Sequence, residues 1–234
     1  LAHRIEQPAS EGDQRNQPVN REVKVRQQKL AFPAVDPLKS LVFTLPGGRR
    51  GWKVNVGGSV PTPAVMSGNL YVTDGGHKFF SFDAKAGNLV WQVETKDSGP
   101  SAGVVDGENL VFNTNSCELE VRLAKTGELV WKKWLASVLP GMPAIANGKV
   151  YVAHRDGSRH SLSSYDIKNG NRFWKKPIDG DVITAPVIVN DSIMLTTTGG
   201  SFYEFNASKG KLVKSAKTTT MSTPIFVSQP SDEK

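Results

Sequence analysis

The sequence predicts an all-β fold built from a repeated four-stranded unit, and three observations carry that reading. Tryptophans recur at Trp52, Trp91, Trp131 and Trp174, with Lys214 at the next equivalent position, so the spacings are 39, 40, 43 and 40 residues. In phase with them run "TPAVMSGNLYV", "SAGVVDGENLVF", "MPAIANGKVYV" and "APVIVNDSIML", each an apolar run, a short polar turn and a second apolar run. No stretch after Pro46 has a helical period. A repeat of about 40 residues holding four strands is that of a β-propeller blade.

The first two strands of each unit are joined at Ser67-Gly68, Asp106-Gly107, Asn147-Gly148 and Asn190-Asp191. Such pairs suit tight hairpins, whose central residues need positive φ. The third strand reads "FFSFDA", "LEVRLA", "LSSYDI" and "FYEFNA", alternating with period two as a sheet surface requires. A glycine-containing turn leads to the fourth, "NLVWQV", "ELVWKK", "NRFWKK" and "KLVKSA". Blades are therefore expected at 60–96, 100–136, 142–178 and 184–217. Before them, Ser40–Pro46 and Gly51–Val56 read as the two outer strands of an incomplete blade, with Trp52 at the docking position. After them, Ser222–Ser228 reads as a lone inner strand.

Charge is uneven along the 234 residues. Residues 1–53 hold ten Lys/Arg and five Asp/Glu, a net +5 of the chain's +7. Residues 1–39 read as an extended, basic, Gln- and Pro-rich arm with one short helix-compatible stretch, 40–228 as the blades, and 229–234 as a polar tail. The arm suits an acidic partner or simple solvation, and nucleic acid is not the expected partner. No apolar run approaches the ~18 residues that read as a membrane-spanning helix. The single cysteine, Cys117, excludes a disulfide within the chain and any multi-cysteine metal site.

The repeated motif resembles the tryptophan-docking motif of the pyrroloquinoline-quinone-type (PQQ-like) propeller repeats, a family that includes outer-membrane assembly propellers. It runs from Asp83 through Gly87 to Trp91, from Leu123 through Gly127 to Trp131, and from Asp166 through Gly170 to Trp174. Asn206 to Lys214 is a degenerate copy. The resemblance implies that Trp52, Trp91, Trp131 and Trp174 each pack across a seam onto the neighbouring blade. Gly87, Gly127 and Gly170 would supply the flat peptide, and Asp83 and Asp166 would tie the turn to backbone amides. Family members form rings of roughly seven or eight blades, so a protein partner or second chain is expected to complete the ring; closure by the chain's own end segments is the other possibility.

In a four-stranded blade the second-to-third-strand loop and the exit loop share one end. There the sequence places His77, Asn115, His154, Arg155, Arg159 and His160, the candidate partner contacts. The quinoprotein dehydrogenases that share the motif carry an adjacent cysteine pair, a catalytic Asp and calcium ligands, and this chain has one cysteine. No catalytic residue, metal site or cofactor is assigned. The expectation is a non-catalytic propeller scaffold for protein–protein interaction, with a quinone- and calcium-dependent dehydrogenase as the alternative. By resemblance its place is the bacterial periplasm or cell surface.

Overall fold

A computed structural model describes residues 36–217, apart from 62, 98, 100, 101 and 137–140. The expected helix-compatible stretch of the arm, the strand at Ser222–Ser228 and the polar tail lie outside the described residues. Among those described there is no helix.

Eighteen strands form one two-stranded and four four-stranded sheets, every pairing antiparallel between chain neighbours. The incomplete blade is β1 (Leu41–Thr44) with β2 (Arg50–Lys53). The first full blade is β3 (Ala64–Met66), β4 (Asn69–Thr73), β5 (Lys78–Asp83) and β6 (Leu89–Glu94). The second is β7 (Val104–Val105), β8 (Asn109–Asn113), β9 (Glu118–Leu123) and β10 (Leu129–Trp134). The third is β11 (Ala144–Ala146), β12 (Lys149–Asp156), β13 (Arg159–Asp166) and β14 (Arg172–Ile178). The fourth is β15 (Val187–Val189), β16 (Ser192–Thr196), β17 (Ser201–Asn206) and β18 (Leu212–Lys217). The inner strands β3, β7, β11 and β15 adjoin in succession, as radially arranged blades require. This is the propeller architecture the repeat predicts.

Each core lies between two sheets rather than within one. Tyr71, Phe79 and Trp91 pack with Leu110, Phe112 and Ala124 of the second blade, whereas Val72, Phe80 and Phe82 meet Trp52, Val54 and Val56. Successive residues of β4 and β5 thus serve opposite seams, because side chains alternate across a strand. That is why "KFFSFD" carries little polar alternation: both its faces are buried. Two further cores, around Val121, Val152 and Tyr165 and around Leu162, Ile193 and Phe205, fill the remaining seams.

The hairpins follow local chemistry. Ser67-Gly68 and Asn147-Gly148 both hold positive φ, at 51° and 80° and at 51° and 69°. The second blade differs from expectation. Its Asp106 amide donates to the Asn109 carbonyl at 3.1 Å and Val105 pairs with Leu110, so the turn is longer than Asp106-Gly107. The Asp106 carboxylate accepts from the Glu108 and Asn109 amides, which stabilises the wider form.

Candidate functional site

The docking end of the blades comes first, because it sets the spacing of everything else. The Trp52, Trp91, Trp131 and Trp174 indoles donate to the carbonyls of Ala84, Ala124, Ile167 and Ala207 in the following blade, at 2.9, 3.0, 2.8 and 3.1 Å. Each ring lies against the glycine of that turn. A methyl group built on Gly87, Gly127, Gly170 or Gly210 would meet the ring at 2.5, 2.8, 2.9 or 2.6 Å. These glycines also hold positive φ of 63–76°, so geometry excludes a side chain twice over. Asp83 Oδ1 accepts from the Lys85 and Ala86 amides, and Asp166 Oδ1 from those of Lys168 and Asn169. Gly210 and Asn206 complete a fourth docking turn, although the strand that follows carries Lys214.

Register slips once in the outer pair of each full blade, between Ser81 and Phe82, Leu129 and Trp131, Ser164 and Tyr165, and Glu204 and Phe205. The unpaired residue is Val90, Val130, Phe173 or Val213, and all four side chains are exposed. The bulge re-aims the next side chain toward the seam. The same phase separates Trp131 from Trp134, which is 65% exposed at the far end of β10.

At the opposite, loop end the blades are fastened by polar groups. Ser116 donates to Asp97, joining the first exit loop to the second blade. Asn113 Nδ2 donates to the Gly141 carbonyl at 3.1 Å. Asp181 bridges two blades: Arg155 reaches its carboxylate with Nε at 3.0 Å and with Nη2, His160 Nε2 stands 3.2 Å away, the Thr198 amide donates to the Asp181 carbonyl and the Asp181 amide to Thr198 Oγ1. The Arg155 hydrogen bond holds the Asp181 carboxyl below its usual range. Asp179 accepts from Thr197, Ser201 and Lys217 at 2.5, 2.5 and 2.8 Å; burial pushes its pKa up, but those donors outweigh it and hold the carboxyl well below normal.

The expected contact residues fall into different environments. His77, Asn115, Arg155 and Arg159 are exposed, and His160 is half-buried. His77 Nδ1 lies 2.5 Å from the Lys96 carbonyl. His154 is only 7% exposed, with Nε2 2.9 Å from Ser163 Oγ, and burial pushes its pKa down. Residues 153–161, which the sequence reads as a loop, are mostly strand. Cross-strand pairs His154–Ser161, Arg155–His160 and Asp156–Arg159 extend the hairpin, leaving Gly157 and Ser158 as the turn. His154 therefore supports the hairpin from inside, and Arg155, Arg159 and His160 stand on its end. Trp134 is the loop-end residue that motif reading passed over as a contact; its phase, three residues from Trp131, was the available signal.

Cys117, the sole cysteine, sits at a left-handed turn, φ 69°, with its sulfur 3.9 Å from the Asn115 carbonyl. Among the described residues no three His, Cys, Asp or Glu side chains converge.

Comparison with known proteins places the repeat. The family profile described as outer membrane protein assembly factor BamB matches residues 39–121 and 118–233. The chain is similar to that factor from Moranella endobia, 25% identical over 88% of this chain and 59% of the relative. It is also similar to the quinoprotein alcohol dehydrogenase PedH of Pseudomonas putida, 26% identical over 51% of this chain but 23% of the relative. Among solved structures it resembles BamB from Moraxella catarrhalis, with a TM-score of 0.57, 18% identity, and 71% of this chain covering 51% of that one. A europium-containing methanol dehydrogenase aligns with a TM-score of 0.59 at 16% identity, 70% of this chain covering 43% of that one. The chain spans about a fifth to three-fifths of the length of these curated relatives. With both profile matches laid over the blades, the chain belongs to the family described as outer membrane protein assembly factor BamB.

Proposed function

We propose that this protein is a non-catalytic propeller scaffold that presents its loop end to a protein partner within an exported, periplasmic or cell-surface bacterial assembly. The observation that carries the reading is the state of the loop end. Asp97, Asp179 and Asp181 bind side chains of the protein itself, while His77, Asn115, Arg155 and Arg159 are exposed at the same end. A surface whose acids bind side chains of the protein itself and whose polar and cationic groups point outward suits recognition rather than proton transfer. Trp134 adds an exposed aromatic of the kind that anchors interfaces.

A quinone-dependent dehydrogenase subunit is the second reading, favoured by the likeness to PedH. Its known members' cysteine pair has no counterpart in a chain with one cysteine. The test is an absorbance scan of the purified protein with bound-calcium analysis. A stoichiometric quinone chromophore overturns the scaffold reading. On the scaffold reading, Arg159→Glu abolishes co-purification with the assembly partner while leaving the thermal transition in place.

A further inference from the structure

The second docking turn breaks the pattern of the other three in two adjacent positions. Where Asp83, Asp166 and Asn206 offer an oxygen to the turn amides, this blade has Leu123, which has none. The backbone turn is unchanged, with the Gly127 amide donating to the Leu123 carbonyl at 2.8 Å, as Gly87 does to Asp83 and Gly170 to Asp166. One residue earlier, Phe82, Tyr165 and Phe205 face the docked Trp52, Trp131 and Trp174 at ring-centroid distances of 6.3, 6.4 and 6.5 Å. The second blade has Arg122 in that place.

Arg122 is 8% exposed and Glu120 only 1%. The guanidinium Nε donates to Glu120 Oε2 at 2.9 Å, and Nη1 donates to the Gly127 carbonyl at 2.9 Å. Gly127 is the residue on which Trp91 rests. Removing a charge from water is costly, so a buried Arg persists only where its hydrogen bonds and counter-ion are in place.

We infer that Arg122 is the positioning residue of the blade-1/blade-2 seam: by donating to the Gly127 carbonyl it holds the turn in the shape Trp91 needs, where the other three turns are held at their amides by Asp or Asn. Glu120 is the counter-ion that lets Arg122 stay buried. At this seam a buried charge stands where its neighbours set a ring against the docked tryptophan, while Phe79 and Phe112 stack across it at 4.6 Å. Trp91 still finds rings, in Tyr71 and Phe79, but both belong to its own blade.

The test replaces the ion pair without orphaning a charge. If the pair merely fills space, Glu120→Leu with Arg122→Met is neutral or stabilising. If Arg122 holds the turn, the double variant speeds hydrogen exchange of the Trp91 indole N–H by roughly tenfold or more, while the Trp174 indole, at another seam, is unchanged. Adding Leu123→Asp then restores at least half of the lost protection, because it supplies the cap the other blades use. Unchanged Trp91 exchange in the double variant, or no recovery on adding Leu123→Asp, overturns the inference. Should the double variant fail to fold, the triple variant decides: folding supports the inference, and failure refutes it.

Discussion

The two ends of the same blades are fastened by different physics. At the docking end all four seams repeat one arrangement, an indole lying on a positive-φ glycine and donating to a carbonyl of the next blade. At the loop end the fasteners differ from seam to seam: Ser116–Asp97, Asn113–Gly141, and the Arg155–Asp181–Thr198 bridge. A large ring burying apolar area stabilises in proportion to that area and needs little tailoring, so repetition suffices. Exposed ion pairs contribute little each, so the loop end is open to variation, and variation is what a recognition surface needs.

The comparison breaks first at the docking end. Trp174→Ala, removing an 8%-exposed ring from the core shared with Phe205 and Ile193, lowers stability by ~3–5 kcal/mol in denaturant titration. A loss below about 1 kcal/mol would mean that the glycine turns, not the rings, hold the seams. Gly210→Val attacks the same contact from the other side. It forces a β-branched residue to φ 63° and drives it into the Trp174 ring, for an expected loss of about 2–4 kcal/mol.

Between the two ends lies His154, buried beneath the loop-end hairpin. Burial pushes its pKa below that of an exposed histidine, so the folded state keeps the ring neutral. As pH falls through about 6.5 the unfolded chain takes up a proton that the folded state refuses. The unfolded state then binds more protons, so this contribution to stability is full above that pH and is lost below it. His154→Asn should flatten the slope of the unfolding free energy just below about pH 6.5 relative to the native sequence. Equal slopes would show that the ring titrates as though exposed.

The smallest effects belong to the loop surface. Arg155→Ala breaks the pair with Asp181, but that guanidinium is half exposed, so the loss should be slight and should shrink with added salt. Trp134→Ala should stay within about 0.5 kcal/mol, an order below Trp174→Ala although both remove an indole. A loss at Trp134 equal to that at Trp131 would erase the distinction between the two faces of β10.

Much of the fold is legible because its causes are local. The 39-to-43-residue spacing of the tryptophans, the Asn-Gly and Ser-Gly turns and the period-two third strands mark four blades and the β1–β2 pair to within a few residues. Which tryptophan docks is also local, since Trp131 and Trp134 must point to opposite faces of one strand. The fate of polar residues near strand ends is not local. "AHRDGSRHS" has the composition of a loop, yet cross-strand pairing carries it into β12 and β13, and alternation turns the buried His154 to the face of Val150 and Val152, the side of the second blade.

The sequence by itself determined the repeat and its strand order, because alternation and turn chemistry act over a few residues. Only the tertiary structure decided that Val90, Val130, Phe173 and Val213 face solvent, that His154 is interior, and that Arg122 donates to the Gly127 carbonyl. Each of those outcomes depends on what the neighbouring strand or blade places against the side chain. Burial, and with it the energetic worth of a charge or a ring, is a property of that contact rather than of the residue.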